Sequence, residues 1–192
     1  MKLAIADPPY LGRGAMLYGP NAVTLYGGVK NRKSTRPAGD GNPDAHLWDD
    51  PESHRQLVTE TLAEYDGWAV AMNPENLYEY LTWVPRDTRI CSWNKPTAIP
   101  AGRIIRSWEP VLVFVPSARR GRVAGDPQFR DSLVALREGA GGRHQSFVGQ
   151  KPPVWTRWVL DMLGYRPDED TVDDLFGGSG AVTAEINQGV LL

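Results

Sequence analysis

A four-residue apolar run, Leu3-Ala4-Ile5-Ala6, is stopped by Asp7-Pro8-Pro9-Tyr10. No other stretch constrains the fold as tightly. Residues 3–6 are short and uncharged, which fits a buried strand of a parallel sheet. A residue ahead of a proline is pushed to extended geometry, and each proline removes a backbone donor. Residues 7–10 are therefore expected as a stiff loop at the carboxyl end of a strand, the edge where ligands bind in open α/β sheets. A carboxylate, two exposed carbonyls and an aromatic ring are held there in fixed relation.

That group suits an exocyclic amine. The Asp7 carboxylate accepts one amino hydrogen and a carbonyl of the Pro-Pro unit, held outward by the proline constraint, can accept the other. The Tyr10 ring stacks on the heterocycle. Two acceptors on one NH2 draw its nitrogen toward tetrahedral geometry and free the lone pair for attack on a methyl donor. The same tetrapeptide also reads as a plain turn, because Asp and Pro are both turn formers. Four residues do not choose between the two.

The rest of the chain alternates helix and strand. Asp50-Pro51-Glu52 starts a helix with an acid at the N-cap and Pro at the first position. Leu57, Val58, Thr61, Leu62 and Tyr65 share one face, and Asp66-Gly67 ends it. A strand follows over 68–72, and Asn73-Pro74-Glu75 opens a second helix with Leu77, Tyr80 and Leu81 inward. Strands are predicted over 88–93 and 109–115, separated by a Pro/Gly turn at 96–102. Pro152-Pro153 precedes a helix carrying Trp155, Trp158, Val159 and Met162, with Gly164 as its C-cap. Trp155 and Trp158 read as core. A last strand, 171–176, runs into Gly177-Gly178-Ser179-Gly180 and a helix over 181–187.

A strand, a glycine turn and a helix start make a cofactor loop: glycine lets the backbone approach a ligand, and free N–H groups favour an anionic group. A G-x-G-x-x-G dinucleotide fingerprint is not matched, since Ala181, Val182 and Thr183 follow Gly180. A G-x-S-x-G elbow is nearly matched, but it needs a downstream His, and none follows His144. An S-adenosylmethionine loop is the third reading.

At 192 residues one domain, 1–192, is expected. One cysteine, Cys91, rules out an internal disulfide and fits a reducing cytoplasm. His46, His54 and His144 lack metal-ligand spacing, so no metal is expected. No apolar run is long enough to span a membrane, and the first residues lack the apolar region of a signal peptide. Net charge is only −2, but it is unevenly placed. Arg13, Lys30, Arg32, Lys33 and Arg36 fall between residues 11 and 39 with no acid among them. Arg119, Arg120, Arg122, Arg130, Arg137, Arg143 and Lys151 crowd 116–151. Both stretches, 11–49 and 116–149, read as long basic loops. They fit either a phosphate-backbone partner or ordinary solvated charge.

Four stretches together resemble the amino-methylating DNA methyltransferases, which act on adenine N6 or cytosine N4. Asp7-Pro8-Pro9-Tyr10 matches their D-P-P-Y motif. Asp174-Leu175-Phe176-Gly177-Gly178-Ser179-Gly180 is similar to their D-P-F-x-G-S-G motif, with Leu175 in the proline's place. Gln150-Lys151-Pro152 resembles their Q-K-P. Trp93-Asn94-Lys95-Pro96, Arg103 and Glu109-Pro110-Val111-Leu112-Val113-Phe114 resemble W-x-K-P…R…E-P-I-L-V-F. The order of motifs is that of the β-type circular arrangement.

The resemblance implies a Rossmann-like, S-adenosyl-L-methionine-dependent methyltransferase sheet, mostly parallel with one antiparallel strand. It implies that Asp7, Pro8, Pro9 and Tyr10 hold a target base flipped out of duplex DNA. It implies that Asp174, Phe176, Gly178, Ser179 and Gly180 hold the cofactor, with Lys151 and Pro152 on its other side. Arg13, Lys30, Arg32, Lys33, Arg119, Arg120 and Arg122 are the candidate nucleic-acid contacts. Lys95 and Glu109 are read as structural, an ion pair or a cap.

In the family, a further strand ends in an acid on the cofactor ribose, and here no acid follows Glu185. With family order 3-2-1-4-5-7-6, one or two edge strands are missing on that side, and the two motif strands remain neighbours. Three expectations follow: another group on the ribose, a homodimer or partner subunit completing the pocket, or a weak or inactive nucleic-acid-binding subunit. Asp at the first motif position points by family analogy to adenine N6. Cytosine N4 and RNA adenosine are the alternatives.

Overall fold

The computed structural model describes residues 1–20, 42–99, 103–121, 127–136, 150–178 and 180–187. Lys30, Arg32, Lys33, Arg36, Arg122, Arg137, Arg143 and Ser179 lie outside them.

Among the described residues six strands form one sheet in the order β5-β3-β4-β2-β1-β6. They are β1 (Lys2–Ala6), β2 (Gly67–Ala71), β3 (Arg89–Ile99), β4 (Arg106–Phe114), β5 (Ser132–Val134) and β6 (Thr171–Asp174). The central strand β1 lies parallel to both β2 and β6. Only β4 runs against its neighbours β2 and β3, and β5 is again parallel to β3. The expected single antiparallel strand is therefore β4. The run β6-β1-β2-β4-β3 reproduces 1-4-5-7-6 of the order implied by the resemblance. Among the described residues β6 closes the sheet on its outer side.

The helices are α1 (Gly14–Tyr18), α2 (Pro51–Gln56), α3 (Leu77–Trp83), α4 (Pro153–Leu163) and α5 (Ala181–Asn187). Among the described residues no helix is long and apolar enough to cross a membrane. Helix α4 begins with Pro153 at its first position and ends on Gly164 at φ +69°, a left-handed cap that glycine adopts without strain. Its face carries Trp155, Trp158, Val159, Leu160 and Leu163 onto Leu3, Ile5, Ala69, Ala71, Cys91, Trp93, Val111 and Val113. Trp155 is wholly buried, and each large side chain on this face contributes roughly 1.5–3 kcal/mol by leaving water. The opposite face of the sheet, Ala4, Ala6, Trp68, Val70, Met72 and Leu112, is covered by Leu57, Val58, Leu62 and Tyr80.

Several boundaries differ from expectation. The helix opened by Asp50, whose side chain caps Glu52 N, stays α-helical only to Gln56. It then passes through π pairing (Leu57–Thr61) and a 3-10 turn (Leu62–Glu64). Leu81, read as inward, is 45% exposed, and Tyr80 alone turns fully into the core. The expected turn at 96–102 starts late, because β3 pairs with β4 as far as Ile99, through a register shift after Asn94. The last strand ends at Asp174 rather than residue 176.

The two basic stretches also hold structure. Residues 116–149 contain β5, tied down where the Trp93 and Trp158 indole N–H groups donate to the Ala135 and Arg130 carbonyls. Residues 11–49 contain α1 and a 3-10 helix, Pro43–Asp49. Gly14 lets that helix dock, since a Cβ there would meet the Ala45 carbonyl oxygen at 2.0 Å.

Candidate active site

Side chains alternate along a strand, so each apolar row on the α4 side gives way to one more residue of the same face. On β1 the row is Leu3, Ile5, then Asp7. On β3 it is Cys91, Trp93, then Lys95. On the antiparallel β4 it is Val113, Val111, then Glu109. Three charged groups thus finish three apolar rows at one edge, the carboxyl edge of the parallel strands. Lys151, two residues ahead of α4, drops its ammonium among them.

The contacts form a chain of alternating sign. Lys151 Nζ donates to Asp7 Oδ1 at 2.8 Å and to the Tyr10 hydroxyl at 3.4 Å. The same ammonium lies 3.7 Å from Glu109 Oε2, and Glu109 Oε1 is ion-paired with Lys95. Indole and phenol rings wall the cations. Lys151 Nζ is 5.6 Å from the Trp155 ring, 5.7 Å from Trp93 and 5.7 Å from Tyr10, and Lys95 Nζ is 4.6 Å from Trp93. The Lys151 side chain is 2% exposed and that of Asp7 21%, so Asp7 is the member that meets solvent. Among the described residues Asp7 Oδ2 accepts no hydrogen bond.

Burial lifts the Asp7 carboxyl above its usual value against the pull of Lys151, with Glu109 adding to the rise. Burial acts on Glu109 in the same sense, but two ammonium groups outweigh it and hold Glu109 below the ordinary range. Lys151 is desolvated yet kept charged by Asp7 and Glu109, so it is a fixed cation rather than a base. Burial, then Glu109 and Asp7, push the Tyr10 phenol well upward, and it stays protonated.

The glycine loop opens on the neighbouring strand. Leu175 N donates to the Ile5 carbonyl, which locks the end of β6 to the end of β1. Asp174 accepts from Phe176 N at 3.3 Å and from the Thr183 hydroxyl at 2.8 Å, tying strand end to helix α5 across the glycines. Gly180 takes φ +68°, and a Cβ on Gly178 would meet nothing within 4 Å, so the arch has an open face. Glu185, the last acid of the chain, faces away and pairs with Arg157 of α4.

The 3-10 helix Pro43–Asp49 touches both loops. Asp49 accepts from Gly14 N and Ala15 N at 2.7 and 3.1 Å, just after Tyr10. Trp48 packs edge-on against Phe176 at 4.8 Å. Behind it, His54 donates through Nε2–H to the Trp48 carbonyl at 2.8 Å, which leaves Nδ1 to accept from the Tyr80 hydroxyl at 2.6 Å. Composition marks 42–49 only as loop, and its sole forward signal is the Asn42-Pro43 cap, where Asn42 accepts from Asp44 N.

Lys151 stands on Asp7 rather than apart from it, and Lys95 and Glu109 are the ion pair that their reading as structural groups anticipates. That reading missed their link to Asp7 through Lys151. Pro152 is buried at the N-cap of α4. Arg13 N donates to the Tyr10 carbonyl, so Arg13 stands beside the site. Arg119 and Arg120 do not. They follow β4, whose end pairs with the start of β2, and so lie at the opposite edge of the sheet from Asp7. Arg119, 9% exposed, is held bidentately by Asp170 at 2.5 and 2.8 Å, and Arg120 pairs with Asp87 over the Phe114 ring. Among the described residues no cluster of three His, Cys, Asp or Glu side chains is placed to hold a metal ion.

No protein-family model matches the chain, and no curated protein is similar to it. Among solved structures, the fold is similar to that in the crystal structure of the M1.HpyAVI–SAM complex. The TM-score is 0.51 at 15% identity, covering 97% of this chain and 78% of that one. A likeness at that identity is one of fold: a Rossmann-like α/β sheet.

Proposed function

We propose that this chain is an S-adenosyl-L-methionine-dependent DNA methyltransferase acting on the exocyclic N6 amine of adenine. One observation carries the reading. The Asp7-Pro8-Pro9-Tyr10 loop and the glycine loop open side by side, at the same edge of the adjacent parallel strands β1 and β6. The solved structure with a similar fold is described as a complex with SAM, which agrees with it.

The glycine arch fits a cofactor held through backbone contact, because Gly178 leaves open space where a side chain would stand. Phe176, Gly178, Ser179 and Gly180 would hold it, with Asp174 keeping the arch in shape. When bound, S-adenosyl-L-methionine supplies an electrophilic methyl group. This chain's residues do the rest. Asp7 Oδ2 accepts one amino hydrogen while Lys151 keeps Oδ1. The Pro8 carbonyl takes the other hydrogen, Pro9 stiffens the turn, and Tyr10 stacks on the base. The methylated nitrogen must then shed a proton, and a carboxylate of raised basicity is placed to receive it.

Arg13, Lys30, Arg32, Lys33 and Arg122 are the proposed contacts to the DNA backbone. Arg119 and Arg120 are left out, being paired at the far edge. The test is one reaction: the purified chain, S-adenosyl-L-methionine and unmethylated duplex DNA, digested to nucleosides and read by mass spectrometry. N6-methyladenine supports the proposal, N4-methylcytosine moves it to the other amine, and neither product from DNA counts against it.

A further inference from the structure

Four charges withdrawn from water stabilise a fold no better than apolar side chains of the same volume. The quartet Asp7, Lys151, Glu109 and Lys95 therefore calls for another account, and its wiring supplies one. Lys151 is shared between two carboxylates, Asp7 at 2.8 Å and Glu109 at 3.7 Å. Glu109 is in turn shared between two ammonium groups, Lys151 and Lys95. All three partners are less exposed than Asp7, with side chains at 2%, 14% and 6% against 21%. The buried end is thus anchored in two strands of the sheet, and the solvent end is the carboxylate that meets the substrate.

We propose that Lys95 and Glu109 are a positioning pair for the methyl-transfer reaction, setting how strongly Lys151 holds Asp7 and hence how readily Asp7 takes the substrate amine. The proposal rests on the reading of Asp7 as the amine-binding carboxylate. Neutralising Glu109 removes the carboxylate that competes with Asp7 for Lys151, which tightens the hold and makes Asp7 more acidic. Removing the Lys95 charge does the reverse. Glu109 then pulls on Lys151 undivided, Asp7 loses part of its counter-ion, and its carboxyl becomes less acidic. Among the described residues the other groups facing Asp7 are Tyr10 on its own loop and Tyr80 on α3, with Tyr18 of α1 acting on Tyr10. Burial keeps the Tyr10 and Tyr80 phenols protonated over the range concerned, so among the described residues the two lysines and Glu109 set the outcome.

The test uses the full chain as wild type, Glu109→Gln and Lys95→Met, with folding checked by circular dichroism. Carboxyl-labelled aspartate is titrated by NMR, with the Asp7 resonance assigned through Asp7→Asn, and single-turnover methyl transfer to duplex DNA is followed over the same pH range. The expected result is an Asp7 midpoint moved down in Glu109→Gln and up in Lys95→Met, with the acidic limb of the rate profile moving in the same two directions. An unmoved Asp7 midpoint in folded Glu109→Gln overturns the proposal, and that isosteric variant decides the matter if Lys95→Met does not fold. A moved midpoint with an unmoved rate profile also overturns it. A wild-type chain that transfers no methyl while the midpoints shift as expected supports the coupling and sinks the functional reading instead.

Discussion

Lys151 Nζ donates to Asp7 Oδ1 at 2.8 Å, joining residues 144 positions apart in the chain. The contact closes the site from the α4 side and makes one oxygen of the Asp7 carboxylate part of the protein's own structure. Among the described residues Oδ2 accepts no hydrogen bond, so the pair sets both the charge and the placing of the proposed amine acceptor.

Lys151→Met removes the charge from a side chain one atom shorter, stranding Asp7 beside a Glu109 that keeps its ion pair with Lys95. The expected cost is about 3 kcal/mol at neutral pH, the usual penalty for breaking a buried pair. A buried carboxylate without its counter-ion binds a proton more tightly folded than unfolded, so the variant should regain stability as pH falls toward about 4. Urea midpoints from pH 4 to 8 check this. A loss that does not shrink toward low pH would mean the Asp7 carboxylate is not left buried.

Asp7→Ala should lower methyl transfer by about a thousandfold, the scale of a positioned proton acceptor. Affinity for S-adenosyl-L-methionine should stay within about twofold, because the glycine arch is built on β6 and α5. Calorimetric titration of the cofactor beside a single-turnover assay separates the two. An unchanged rate would leave Asp7 as turn chemistry only.

Asp170 belongs to the opposite edge. Its buried carboxylate takes the amino terminus at 2.7 Å, Arg166 N at 2.7 Å and the Arg119 guanidinium. Burial opposes ionisation, yet Arg119, the amino terminus and the Arg166 N–H together hold the carboxyl far below the usual range. The stability it contributes is complete above about pH 4 and is lost as pH falls toward its folded value. Asp170→Asn should therefore cost about 3 kcal/mol near pH 7, and its difference from wild type should close in acid. Arg119→Ala should destabilise similarly and leave DNA affinity unchanged. Weaker DNA binding at constant stability would instead place the substrate at this edge.

His54 is buried with both ring nitrogens engaged, and burial lowers its affinity for a proton despite the Trp48 carbonyl. Above about pH 6.5 it costs nothing, and below that the unfolded chain gains a proton the folded one refuses. Wild-type stability should thus decline from pH 7 to 5, and His54→Gln should flatten part of that slope. If Trp48 is held against Phe176 by this histidine, the same variant should also weaken cofactor binding. Equal slopes for the two proteins in denaturant titrations would remove His54 from the account.

Much of the fold was readable along the chain. Prolines at residues 8 and 9, the N-cap at Asp50, the helix start at Pro153 and the cap at Gly164 act through backbone limits within a few residues, and each stands where expected. Strand ends were less readable. Residues 96–99 look like a turn because of Pro96, yet β4 offers them a partner, and pairing overrode the local signal. Strand β5 was hidden in a basic, glycine-rich stretch, and its pairing with β3 together with the Trp93 and Trp158 indoles makes its place. Arg119 and Arg120 look like solvent charges because their acids, Asp170 and Asp87, are 51 and 33 positions away.

By itself the sequence determined the pieces: a strand that stops at Asp7, a glycine turn after Asp174, and an alternation of helix and strand that permits one parallel sheet. These follow from local backbone geometry and from the periods of hydrophobic residues. Tertiary structure alone decided what the pieces face. The neighbour order of β3, β4, β2 and β1, and the two-residue period that turns Asp7, Lys95 and Glu109 to one side, bring those side chains to Lys151. A charge gathered in this way depends on which strands pair and in what register, and no stretch of sequence records that.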